Sequence, residues 1–186
     1  LPVVSLAALS LLWACSEPAA PPMADAMRAE TIKPTTDGGK PVVYQVFTRL
    51  FGNENTRNKP WGTLEENGVG KFNDFDDKAH KEIRDLGVSH IWYTGVLHHA
   101  MVTDYMVYGI SNDDPDVVKG RAGSPYAVKD YYNVDPDMAV DPEKRLEEFE
   151  ALIERTHKHG MKVIIDIVPN HVARKYEGKN NPEGVS

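Results

Sequence analysis

Three short runs of β-branched and aromatic residues, separated by two segments of helical periodicity, constrain this chain more than any other feature. Val42-Val43-Tyr44-Gln45-Val46-Phe47, Val88 to Thr94 and Met161 to Val168 each read as a buried strand. Between the first two, Ala79, Ile83 and Leu86 recur at i, i+4 and i+7 on one face of a helix that Asp74 can cap and Gly87 can end. Between the second and third, Asp141-Pro142 supplies an N-cap followed by proline at the first helical position. Leu146, Phe149, Leu152, Ile153 and Thr156 then share a face, up to a stop at Gly160. Residues 95–140, with Asp, Pro, Gly and Tyr throughout, carry no period and read as irregular.

The order strand–helix–strand–helix–strand leaves each connection long enough for a crossover, so the strands are expected to be parallel. Both faces of a parallel sheet are covered, which explains the run Val163-Ile164-Ile165-Asp166-Ile167-Val168. No glycine-rich phosphate loop follows the first strand, and Phe51-Gly52-Asn53 does not match the dinucleotide fingerprint. A parallel barrel is therefore preferred to a Rossmann sheet. A full barrel takes eight strands and about 250 residues. Three strands within 186 residues leave either a small open sheet or a barrel cut after its third unit. The expected fold class is α/β: a partial (β/α)8 TIM barrel over residues 41–186, with the first three strands and first two helices only.

Composition narrows the function. Twenty-one Lys and Arg against 28 Asp and Glu give a net charge of −7, which argues against non-specific nucleic-acid binding. Hydrophobic residues at 41% and charged residues at 26% are ordinary globular usage. A single cysteine allows no internal disulfide and no Cys-based zinc site.

That cysteine sits in an address. Leu1 to Ala14 carry no charge and read as the apolar part of a secretion signal, too short to span a membrane. Leu12-Trp13-Ala14-Cys15 resembles a bacterial lipoprotein cleavage box, in which Cys15 would become the lipidated first residue; the alternative is an ordinary secretion signal that contains a cysteine. Residues 16–40, rich in Pro, Ala, Thr and Gly, read as a flexible linker. The expected location is the cell envelope, as a lipoprotein facing the outer membrane or periplasm, or otherwise secreted. Membrane contact is expected only through a lipid at Cys15. The start at Leu1 and the Gly/Asn/Pro-rich end at Ser186 suggest a piece of a longer protein.

Functional side chains of parallel α/β folds gather at the C-terminal ends of strands, which singles out Asp166, Asn170 and His171, with Thr94, His98 and His99. An aspartate among aliphatic neighbours is costly unless it is paired or hydrogen-bonded. Asp166 is either a surface residue of an edge strand or points into the barrel, held by an arginine from a strand not present in these 186 residues. Taken singly, Asn170 reads as a turn residue and His171 as a capping or packing residue. His98-His99 reads as a loop pair near a cleft rim, since adjacent side chains point apart and do not share a metal. His157 and His159 read as solvated, and Glu147, Glu148 and Glu150 as an exposed helix face. The run 53–77 reads as a solvated loop, with a second calcium site as the alternative.

Together, Asp166-Ile167-Val168-Pro169-Asn170-His171 forms a D-x-x-x-N-H motif at a strand end, after a helix closed by His159-Gly160-Met161-Lys162. This resembles the first signature region of the α-amylase family, glycoside hydrolase family 13. Val43 to Arg49 resembles that family's first barrel strand, Leu86 to Val96 the approach to its second strand and the strand itself, and Tyr126 through Asp130-Tyr131-Tyr132-Asn133-Val134-Asp135-Pro136 its Gly-Tyr…Asp-Tyr segment. The resemblance covers roughly residues 42–172.

The resemblance implies roles. Tyr126 would stack on the sugar under attack and His171 would hydrogen-bond its hydroxyls. Asn170 would ligate a structural calcium, and Asp166 would support the catalytic centre. Ser124-Pro125 precede Tyr126 where the family carries Gly. The family cleaves α-glucosidic bonds with retention, using two carboxylates on its fourth and fifth strands, and none of the acidic residues here matches those motifs. The expected function is thus the N-terminal part of a retaining α-glycosidase acting on α-glucans such as starch or maltooligosaccharides, itself inactive. One alternative is a non-catalytic envelope lipoprotein that binds α-glucans. A third reading is an unrelated parallel α/β domain in which the motif is coincidence.

Overall fold

A computed structural model describes residues 39–184. The signal, Cys15 and nearly all of the linker lie outside the described residues. In chain order the elements are β1 (Val43–Phe47), α1 (Leu64–Asn67), α2 (Asp77–Asp85), β2 (His90–Thr94), β3 (Leu97–His99), β4 (Val128–Val134), α3 (Arg145–Lys158) and β5 (Lys162–Ile165).

β1, β2 and β5 form one parallel sheet with β2 in the centre. Register sets Gln45 beside Trp92 and Trp92 beside Ile164, so these three side chains share a face. Tyr44, Val46, Ile91, Tyr93, Val163 and Ile165 take the other face, against α2 and α3. There Phe75 stacks on Phe51 at 4.0 Å and meets Tyr93 edge-on at 5.0 Å. A buried polar stitch joins the layers: the Tyr93 hydroxyl lies 2.7 Å from Thr156 Oγ1, and His80 Nε2 lies 3.0 Å from the same oxygen. Burial holds the Tyr93 hydroxyl up at about 12 and pushes His80 below the ordinary histidine value.

The helices start where short acceptors meet free N–H groups. Asp76, two residues after the expected Asp74, caps α2 by accepting from Ala79 N at 2.8 Å. Asp74 instead accepts from Lys71 N at 2.7 Å within a 3-10 turn. Gly87 follows α2 at φ 83°, as its position suggests. Asp141-Pro142 opens a 3-10 turn that runs into α3. Glu148 is more than an exposed helix side chain, since it accepts from Val140 N and Asp141 N. His159 is also not free in solvent: it stacks on His80 at 5.3 Å and lies 2.8 Å from Asp77 Oδ1.

The stretch expected to be irregular holds an antiparallel pair. β3 and β4 run opposite one another with shifts in register at His98 and His99. The three residues of β3 are too few to carry a period. Their partners on β4 are Val134, Asp130 and Val128, so the pair buries a charge and two histidines beside valines where a simple alternation would place hydrocarbon alone. His98 and His99 are each 2% exposed, which replaces the expected rim-loop pair with two buried strand residues.

Candidate active site

β5 ends at Ile165, and Asp166 is the first residue beyond it. Its carboxylate accepts from the indole N–H of Trp92 on the neighbouring strand and from Gly95 N at 3.3 Å. Thus the partners that make this acid tolerable are an indole and a backbone amide, both from the β2 end. Gly95 is fixed by this geometry: its φ is 81°, and a Cβ there would sit 3.0 Å from both Phe47 Cε2 and Pro125 Cβ. Only glycine meets both conditions without strain. Sequence reading singled out neither Trp92 nor Gly95; the available signal was a glycine directly after an apolar strand.

Asp166 borders an open trough on the sheet face away from α2 and α3. Val43, Trp92, Ile164 and Val168 line it, together with Tyr126. Tyr126 is 42% exposed and makes no side-chain hydrogen bond among the described residues, leaving ring and hydroxyl available. The structure therefore brings Tyr126 and Asp166 together across 40 positions of sequence. Asn170 and His171 do not line the trough. They lie just past it on exposed backbone, with Asn170 Nδ2 3.5 Å from His171 Nδ1.

That backbone is anchored on β4. The Tyr131 hydroxyl donates to Val168 O and, at 3.5 Å, to His171 O; Ala173 N donates to Val128 O and Glu177 N to Lys129 O, each at 2.8 Å. Lys179 N adds a bond to Asp130 Oδ2 at 2.9 Å.

Behind this platform lies a buried ionic network. Arg49 Nη1 lies 3.0 Å from Asp137 and 3.5 Å from Asp135, and the Tyr105 hydroxyl donates to Asp137 at 2.8 Å. Burial, and then Asp137 beside it, pushes Asp135 up to about 6. Burial pushes His98 down to about 3, with Lys129 adding to the effect. Calcium takes 6–8 oxygen ligands, and the described residues hold no group of three His, Cys, Asp or Glu placed for a metal. Asn170 alone does not make that site.

The alpha amylase catalytic-domain model matches residues 45–182, which include β2, β5, the last three residues of β1 and the Asp166 cluster. The chain belongs to this family. Its parallel sheet with two crossover helices is accordingly a partial (β/α)8 barrel, and the β3–β4 pair is an excursion from that barrel between β2 and α3. Among curated alpha-amylase relatives, a trehalose-6-phosphate hydrolase of Bacillus subtilis is 28% identical over 74% of this chain and 18% of its own. A pullulanase A of Streptococcus pneumoniae is 31% identical over 72% of this chain and 10% of its own. The chain thus spans less than a fifth of the length of these relatives. The crystal structure of an alpha-amylase from Lactobacillus plantarum matches at TM-score 0.47 and 29% identity, over 71% of this chain and 23% of that one.

Proposed function

We propose that this chain forms the N-terminal wall of the sugar site in a retaining α-glycosidase acting on α-glucans such as starch or maltooligosaccharides. The observation that carries the reading is Asp166, held by Trp92 and Gly95 at the mouth of a trough that also contains Tyr126. A pyranose presents flat C–H faces and a rim of hydroxyls, and an available aromatic ring beside an oriented carboxylate suits both. In this reading Tyr126 stacks on the sugar, Asp166 orients the pocket and His171 turns inward to its hydroxyls. Asn170 offers one oxygen to a structural calcium whose other ligands come from further residues. The attacking and proton-donating carboxylates lie outside these 186 residues. Export through the leader, with a lipid at Cys15, completes the reading; mass spectrometry of the mature N-terminus tests it.

The functional test is a pair of measurements on this chain. Maltotriose binding by calorimetry should be detectable and should weaken about tenfold in Tyr126→Ala, while starch hydrolysis should be absent. Unchanged binding in Tyr126→Ala would remove the sugar assignment of this trough, and hydrolysis would place the catalytic acids within the chain. In the longer protein, glycosidase activity separates an enzyme from a glucan-binding envelope lipoprotein.

A further inference from the structure

The loop between β1 and α2 contains two residues in the left-handed region that glycine normally occupies, Asn58 at φ 47° and Trp61 at φ 58°. For a bulky aromatic this conformation is disfavoured and persists only where its surroundings hold it. It leaves Trp61 57% exposed, lining a cavity of about 230 Å³ whose opposite side comes from the β3–β4 connection, with Thr103, Lys119 and Arg121. The cavity shares no residue with the trough around Asp166.

Its chemistry is one-sided. No Asp or Glu lines it, in a chain of net charge −7. The Trp61 indole, the Lys119 ammonium and the Arg121 guanidinium make no hydrogen bond or ion pair among the described residues. Glu65 and Glu66 feel the charge of Arg121, but neither reaches it within 4.0 Å or lines the cavity. Two of the three lining amides are fully engaged in holding the loop: Asn53 bonds Asn67 O and Asn55 N, and Asn67 bonds both N and O of Lys59, while Asn58 donates to Thr56 O at 3.4 Å. What is left is an indole face and a surplus of donors. A neutral sugar hydroxyl both gives and takes hydrogen bonds, whereas phosphate and carboxylate only take them, and Lys and Arg bind them preferentially.

We propose that this cavity binds a pyranoside carrying an anionic group, phosphate or carboxylate, with the ring against Trp61 and the anion between Lys119 and Arg121. This goes beyond the glycosidase reading and does not depend on it.

Calorimetry on the full chain with glucose 6-phosphate, glucuronate, glucose and inorganic phosphate tests it. At least one anionic sugar should bind about tenfold more tightly than either glucose or inorganic phosphate, and lose affinity at high salt. Which of the two binds more tightly identifies the anion. Trp61→Gly, which accepts the backbone angle, and Arg121→Gln, which alters only an unbonded side chain, should each weaken that binding about fivefold or more with an unchanged thermal midpoint. Glucose binding as well as both anionic sugars, inorganic phosphate binding as well as glucose 6-phosphate with Trp61→Gly silent, or no binding of either anionic sugar would each overturn the proposal.

Discussion

The molecule has two interiors of opposite character. Between the parallel sheet and α2 and α3, the buried groups are mostly hydrocarbon and aromatic, Phe72, Phe75, Ile91, Met138 and Leu152, with uncharged polar contacts in the Tyr93–Thr156–His80 stitch. Around the β3–β4 pair charges are buried beside the valines of β4: Lys129, Asp130, Asp135 and Asp137 are all at most 1% exposed. The first interior draws its stability from area removed from water, which tolerates imprecision. The second depends on every charge finding its partner, because a buried unpaired charge is far costlier than a void. The difference fits their tasks. The apolar interior holds strands together, whereas the ionic one fixes the backbone on which the 168–179 segment, carrying Asn170 and His171, is anchored.

Four substitution experiments sharpen that contrast. Phe75→Ala removes a ring that contacts both Phe51 and Tyr93 and should cost about 3–5 kcal/mol in urea unfolding. In the ionic interior, Lys129 pairs with Asp113 at 3.0 Å. Lys129→Met strands that carboxylate and should cost about 3 kcal/mol, while Lys129→Met with Asp113→Asn, which removes the charge and keeps an acceptor for Met101 N, should recover most of the loss. A silent single substitution would erase the distinction between the two regions.

The pH dependence of stability should show two opposed slopes. Asp135 is raised in the folded state to about 6, so its contribution is fully present below its unfolded value near 4 and fades as pH rises through 6. His98 is lowered to about 3, so its contribution is present above about 6.5 and is lost as pH falls toward 3. Between about pH 4 and 6 the two offset one another. Asp135→Asn should expose a curve that rises with pH, and His98→Gln one that falls, each by on the order of 2 kcal/mol across the window. Identical curves for both variants would show that neither group is desolvated. The smallest effect belongs to Trp92→Phe, which keeps the ring and removes the donor to Asp166. It should cost about 1 kcal/mol of stability and weaken maltotriose binding.

The same contrast decides what could be read from the chain. Apolar residues recurring at helical spacing placed α3 and, through Ala79 and Ile83, α2, although Leu86, expected on the same face, lies past the end of α2 and is 73% exposed. Aliphatic runs placed β1, β2 and β5, because burial against hydrocarbon imposes a period. β3 and β4 left no such trace: His98 faces Asp130, and Lys129 reaches Ser111 O at 2.5 Å and Asp113, so polarity there marks the inside. Asp166 was conspicuous because a charge inside Val163–Val168 conflicts with its neighbours. Its partners were not, since Trp92 and Gly95 lie some 70 positions upstream and meet Asp166 only through the parallel register. The cap at Asp76 was missed because Asp74, two residues earlier, satisfies the same local pattern, and the His80–His159 stack because it joins two helix regions that only packing brings together.

The trough itself is most directly examined by following the Trp92 indole and Tyr126 ring resonances in solution while maltotriose is added. Both should move along one saturable curve, and the Trp92 response should be weakened in Tyr126→Ala at equal ligand. If sugar leaves both resonances in place, or moves Trp92 equally with and without the Tyr126 ring, Asp166 and Tyr126 do not form a glucan site.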